Sequence, residues 1–189
     1  GCPLMHCAYP AQLSFKKELV RTALRGFDFP GLTLHEAGST LAYRRRARLH
    51  FDCRRKSKEM GFRARASRRI VQADDCVVLA PALKKAIPFL NARVLPELRG
   101  RGDIHLAIGV EEGCLLWIRT EDAQESSLYQ RLASSCIGGA KAGSLEPPFV
   151  GVALQVGSDL APATWGSPEE VIEGYDGLPN HSPPFGFSQ

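Results

Sequence analysis

The chain has 189 residues, 44% of them hydrophobic and 23% charged, enough for one substantial domain with an ordinary core. No apolar run approaches the roughly 18–20 residues that a bilayer crossing needs, and the opening residues lack the blocks of a secretory signal, so a cytoplasmic protein is expected. The net charge is only +4, yet twelve of the 24 Lys and Arg residues lie between Arg44 and Arg69, against Asp52 and Glu59, which points to a polyanionic partner.

In chain order, Leu13, Val20, Leu24 and Phe27 recur at offsets that keep them on one face and predict an amphipathic helix over residues 11–27, broken by Pro30-Gly31. From Leu41 to Phe51 the period becomes two: Leu41, Tyr43, Ala47, Leu49 and Phe51 alternate with Arg44, Arg46, Arg48 and His50. Arg45 falls on the apolar side. After the polar segment 54–58, Met60, Phe62, Ala64 and Ala66 alternate with Arg63 and Arg65, which predicts a hairpin with an apolar and an arginine face. Tyr43 and Phe62 are expected in the core. Pro81 opens a second helix in which Pro88 predicts a kink or two short helices. Ile104–Val110 and Cys114–Arg119 flank Glu111-Glu112-Gly113 as a second hairpin; Arg101-Gly102-Asp103 before it reads as a turn, and the motif is taken as accidental. Residues 123–134 read as a helix and Phe149–Val156 as a strand, after which Gly and Pro obscure regular structure.

This pattern predicts an α+β domain, with antiparallel hairpins packed against two to three helices, and not a doubly wound, Rossmann-like nucleotide-binding domain. Six cysteines are present without a C-x-x-C pair, so neither a zinc ribbon nor a disulfide framework is indicated, and most are expected to be small buried hydrophobes. There is no G-x-G-x-x-G, P-loop, G-x-S-x-G or H-E-x-x-H.

The basic hairpin is the strongest signal. Alternate strand residues project from one face about 7 Å apart, so Arg44, Arg46 and Arg48 form a row that Arg63 and Arg65 extend on the partner strand. Guanidinium groups fork onto phosphate and stack on bases. Without a helix–turn–helix, zinc finger or basic helix, such a face suits unpaired or irregular RNA better than duplex DNA.

Several segments, taken together and in order, resemble one family. They are Gly1-Cys2-x-x-x-His6-x-x-Tyr9-x-x-Gln12-Leu13-x-x-Lys16, then Tyr43-Arg44-Arg45-Arg46-Ala47-Arg48-Leu49, then Met60-Gly61-Phe62-Arg63. Ser67, Ile70-Val71, Cys76 and Leu79-Ala80-Pro81-x-Leu83 follow, and Phe187-Ser188-Gln189 stands at the end. The set resembles the RNA uracil-5-methyltransferases, particularly the bacterial 23S rRNA branch, densely over residues 1–120, loosely over 121–180, and again in the last few residues.

The resemblance implies a parent enzyme that uses S-adenosylmethionine and carries a 4Fe–4S cluster held by four cysteines. Cys2 matches the third of these and Cys76 the fourth; the first two would precede Gly1, so the chain is expected to hold the cluster poorly. In the family a cysteine thiolate adds to carbon 6 of uridine, carbon 5 takes the methyl group, and a carboxylate removes the proton. Both groups follow the F-x-Q motif, in which Gln189 matches a glutamine that contacts the methyl donor. Ser135-Cys136-Ile137-Gly138 lacks the Cys-Asn-Pro context of the nucleophile, so no catalytic residue is assigned. Residues 1–184 are read as the central RNA-binding domain, with 1–16 as the tail of the iron–sulfur segment, and 185–189 as the start of the donor domain. The chain alone is expected to be inactive, to bind RNA (23S rRNA by the resemblance), and to need neither a membrane nor a protein partner. The rival readings are a free-standing RNA-binding module without methyltransferase activity, and a cysteine-based redox or metal protein.

Overall fold

A computed structural model describes residues 4–27, 31–109, 113–137, 149–157, 161–166, 170–173 and 179–182. Helix α1 (Tyr9–Ala23) precedes strands β1 (Arg46–Asp52), β2 (Glu59–Arg63) and β3 (Ile70–Val71). Helix α2 (Pro81–Phe89) runs into a π-helical turn at Leu90–Val94 and leads to β4 (Arg101–Ile108) and β5 (Cys114–Thr120). Helix α3 (Ser126–Ile137), β6 (Phe149–Val156), β7 (Ala163–Gly166), β8 (Glu170–Glu173) and β9 (Pro179–Ser182) complete the order.

Among the described residues, seven strands form one sheet in the order β3-β2-β1-β4-β5-β6-β7, and β8 pairs with β9 as a second, two-stranded sheet. All neighbours in the large sheet are antiparallel except β5 and β6, which run parallel. The fold is thus α+β, as the pattern predicts, but the sheet is mixed. A parallel neighbour needs a crossover connection, and α3 lies in the chain between β5 and β6.

Period-two alternation sends Ala47, Leu49 and Phe51 of β1 to one side, where they are at most 6% exposed. They join Ile104, Leu106, Leu116, Ile118, Val152 and Leu154 of the neighbouring strands in the main core. Helix α2 covers this face with Leu83, Ala86, Ile87 and Phe89, and the π turn adds Leu90 and Val94. Helix α3 contributes Leu128, Leu132 and Cys136. Pro81 occupies the first turn of α2, where its missing N–H is no loss. Pro88 cannot donate within the helix, and just beyond it the ladder widens: Leu95 N–H donates to Leu90 O at 2.8 Å. The interruption predicted at Pro88 therefore takes the form of a π turn.

Several boundaries differ from expectation. Helix α1 starts at Tyr9 and ends at Ala23, and buries no residue. Its predicted apolar face is incompletely covered, since Val20 is 40% exposed and Phe27, beyond the helix, is 71% exposed. The first half of the predicted strand 41–51 is not part of β1. Ala42 has φ +55°, and residues 42–44 bond instead to the chain before α2: Arg44 N–H donates to Val78 O at 2.8 Å and Ala80 N–H to Arg44 O at 3.0 Å. Tyr43 is consequently half exposed rather than in the core, whereas Phe62 does pack against it. Arg101-Gly102-Asp103 is not a turn but the start of β4. There a Cβ on Gly102 would come within 2.9 Å of the Phe51 ring. The hairpin turn expected at Glu111-Glu112 lies outside the described residues. Strands β7, β8 and β9 follow the last element that the sequence made legible. Among the described residues no helix is long and apolar enough to cross a membrane.

Candidate nucleic-acid interface

The alternation that buries Leu49 and Phe51 turns Arg46, Arg48 and His50 to the opposite face of β1. The antiparallel register sets Arg48 beside His105 and His50 beside Asp103, and on the next strand His105 beside Trp117 and Asp103 beside Arg119. This places two arginines, two histidines and a carboxylate on adjoining positions of one sheet face.

Asp103 ties the group together. Its Oδ2 accepts from Arg48 Nη2 at 2.6 Å and from Arg119 Nη2 at 2.9 Å, and its Oδ1 lies 2.5 Å from His50 Nδ1. Burial pushes the Asp103 carboxyl up, but the Arg48 and Arg119 hydrogen bonds, aided by the Arg48 charge, outweigh it and hold it below the ordinary carboxylate value. Burial lowers His50, with Asp103 opposing and Arg63 adding to the fall. Burial, then the Arg48 charge, carries His105 down to about 4. Its ring stacks on Trp117 with centroids 4.9 Å apart. His105 is uncharged at neutral pH and His50 is shifted in the same direction, while two guanidinium groups face the single carboxylate. The Arg48 side chain remains 52% exposed, and a guanidinium has five N–H donors, so most of its donors still face outward.

A crevice beside this group is lined by Arg54, Arg63, Arg68 and Arg101. Arg54 forks onto Asp52, and this hydrogen bond holds the Asp52 carboxyl at about 2 despite some burial. Arg101 pairs with Glu121. Arg63 and Arg68 have no acidic partner among the described residues, so the crevice presents two uncompensated guanidinium groups.

The five arginines assigned from sequence are therefore only partly brought together. Arg46 and Arg48 share the outer face of β1, and Arg63 lies close enough to His50 to lower its pKa. Arg44 belongs to the separate ladder with residues 78–80. Arg65 is not on a strand. It sits in the turn between β2 and β3, closed by Ala64 N–H to Arg69 O at 2.9 Å, with Ala66 at φ +51°. Sequence reasoning missed Asp103, His105, Trp117 and Arg119. Had β4 been started at Arg101, period-two counting along the second hairpin would have aligned them.

Cys76 is half-buried in the turn before α2, where its N–H donates to Ala73 O at 3.1 Å. Cys2 and Gln189 lie outside the described residues. Among the described residues, which do not include Cys2, no three His, Cys, Asp or Glu side chains converge as a metal site. Burial pushes the Cys53 thiol up to about 11 and those of Cys114 and Cys136 up to about 12. These three are held as neutral thiols, unsuited to nucleophilic attack at neutral pH.

No protein-family model matches the chain. It is 41% identical over 123 residues to the 23S rRNA (uracil(1939)-C(5))-methyltransferase RlmD of Chromohalobacter salexigens, a match covering 61% of this chain and 25% of that protein. It is 31% identical over 173 residues to the RlmD protein of Pseudomonas putida, covering 86% of this chain and 38% of that protein. The chain thus spans well under half the length of these relatives. Among solved structures it resembles the Pyrococcus abyssi tRNA (uracil-54, C5)-methyltransferase in complex with S-adenosyl-L-homocysteine. That likeness has a TM-score of 0.64 at 20% identity and covers 98% of this chain and 45% of the other; it is a likeness of fold.

Proposed function

We propose that this chain, a relative of the RNA uracil-5-methyltransferases over the part of them that it spans, is the RNA-binding portion of an S-adenosylmethionine-dependent enzyme that methylates carbon 5 of a uridine, in 23S rRNA, in the cytoplasm. The observation that carries the RNA-binding role is the cationic face of the sheet at β1 and β2. Arg48 is exposed with donors to spare, Arg63 and Arg68 line a crevice without acidic partners, and Arg46 adjoins them on β1. Arg44, on the ladder with residues 78–80, and Arg65, in the β2–β3 turn, are assigned no more than outlying contacts. Phosphates bind such a surface by charge-assisted forked hydrogen bonds and release counterions as they do.

The chemistry itself is assigned elsewhere in the parent enzyme. Carbon-6 addition needs a thiol held as thiolate, and Cys53, Cys114 and Cys136 are pushed the other way. The donor contact implied for Gln189, and the cluster ligation implied for Cys2 and Cys76, are attributed to the assembled parent enzyme. The role of this portion is to grip folded RNA so that the target base reaches the reacting groups.

The test is a filter-binding titration of a 23S rRNA fragment over a series of salt concentrations. The affinity should fall by roughly 0.7 log unit per phosphate contact for each log unit of salt, as on single strands. The combined Arg46→Ala, Arg48→Ala, Arg63→Ala variant should show a shallower slope. An unchanged slope would sink the proposed interface. Methyl transfer from labelled S-adenosylmethionine by this chain alone would overturn the assignment of chemistry elsewhere.

A further inference from the structure

A groove of about 380 Å³ opens between α1 and the chain leading into β1. We propose that it receives one unstacked nucleobase of single-stranded RNA, with Tyr43 as its stacking platform. This rests on the RNA reading above and adds where a base, rather than a phosphate, is held.

The groove is built. The Tyr9 hydroxyl accepts from Ala37 N–H at 2.8 Å and so ties the first turn of α1 to the opposite wall. Gln12 Nε2 donates to Cys7 O at 2.9 Å, which fixes that side chain and leaves its carbonyl oxygen to accept from a base N–H. Leu41 and Tyr43, about half exposed, line the other wall, and Lys16 stands in the groove with no acidic partner among the described residues. The volume falls in the range of about 300–1,000 Å³ typical of small-ligand sites.

The lining selects its occupant. Aromatic and aliphatic surface favours a flat, unsaturated group, while no Asp or Glu among the described residues lines the groove. Lys16 lies within it, and Arg44, Arg45 and Arg46 follow Tyr43 directly along the chain. A ligand that suits both features is planar and joined to a negative backbone, as a nucleotide is. A base inside a duplex stack cannot enter, so the site favours unpaired strands.

Two probes separate the base from the backbone: a short oligouridylate, and an abasic oligoribonucleotide of the same length. Tyr43→Ala should weaken oligouridylate binding roughly tenfold, within the range for loss of one stacked base, and leave abasic binding unchanged. Tyr43→Phe should bind as the unchanged chain does. Arg48→Ala combined with Arg63→Ala should weaken both probes. If Tyr43→Ala binds oligouridylate normally while the arginine variant weakens both, the groove proposal fails and the RNA reading stands. If the unchanged chain binds neither probe, the RNA reading fails and takes the groove with it. Equal weakening of both probes by Tyr43→Ala would mean a backbone contact or a lost fold, and also overturns base stacking. Tyr43→Trp supplies a readout independent of the alanine variant: its added emission should be quenched by saturating oligouridylate and not by the abasic probe. Equal emission with the two probes counts against the proposal.

Discussion

Asp103→Asn keeps the shape of the side chain but removes the charge that Arg48 and Arg119 share. Both hydrogen bonds to Oδ2, at 2.6 and 2.9 Å, lose their charged acceptor, while the amide oxygen keeps a neutral one. The Asp103 side chain is 9% exposed, but those of Arg48 and Arg119 are 52% and 36% exposed and regain water when released. The loss therefore falls below the roughly 3–5 kcal/mol of breaking a fully buried pair. It should exceed the roughly 0.2–1 kcal/mol of a surface pair. About 2 kcal/mol is expected, and a chain of this size would then melt roughly 4–8 °C lower. Urea unfolding followed by tryptophan emission measures it. The pH dependence is the sharper check. The folded-state pKa of Asp103 lies below the unfolded value of about 3.9. Its contribution is therefore complete above that value and fades as pH falls through the folded one. The gap between the two proteins should hold steady between about pH 8 and pH 5 and narrow below about pH 4. A gap that ignores pH, or no gap at neutral pH, would refute the assignment of Asp103 as an ionised hub.

Other outcomes follow from the same geometry. His105 has a folded pKa of about 4. It should cost stability as pH falls from about 6.5, its unfolded value, and His105→Phe should make that decline shallower in a pH series of urea melts. Gly61→Ala should cost about 1–3 kcal/mol, because its new Cβ collides with the Val71 carbonyl and pries β3 from β2; a neutral result in thermal melts would contradict this close approach. Leu49→Ala, fully buried in the main core, should lose about 2–5 kcal/mol by the same measurement. Iodoacetamide at neutral pH should leave Cys114 and Cys136 unmodified until denaturant is added, as mapped by mass spectrometry.

The parts of the fold legible in the sequence are those with a clean period. Phe149–Val156 was predicted with its boundaries, and Ala47, Leu49 and Phe51 were predicted on the buried face of their strand. Pro81 and Pro88 marked the start and the disruption of one helical run. The failures have local causes. Ala42 adopts a left-handed conformation that L side chains rarely take, and nothing in its own identity announces that the strand breaks there. Arg101-Gly102-Asp103 looked like a turn because Gly and Asp favour turns, yet Gly102 is needed for the close approach of Phe51. Parallel pairing of β5 with β6 depends on how distant segments assemble, which periodicity does not encode. The same applies to the candidate interface. Counting arginines picked out Arg46 and Arg48 on the outer face of β1, but the tether from Asp103 to Arg48 spans 55 positions of chain and emerges only from strand register.

The borders of the large sheet carry a consequence for behaviour in solution. One border strand, β3, is two residues long and follows Arg68-Arg69; the other, β7, is four residues long and ends at Gly166 with φ +73°. Long, flat, uncharged margins recruit strands from other molecules and seed fibrils. Among the described residues, margins this short, one of them flanked by cations, offer little template for such accretion.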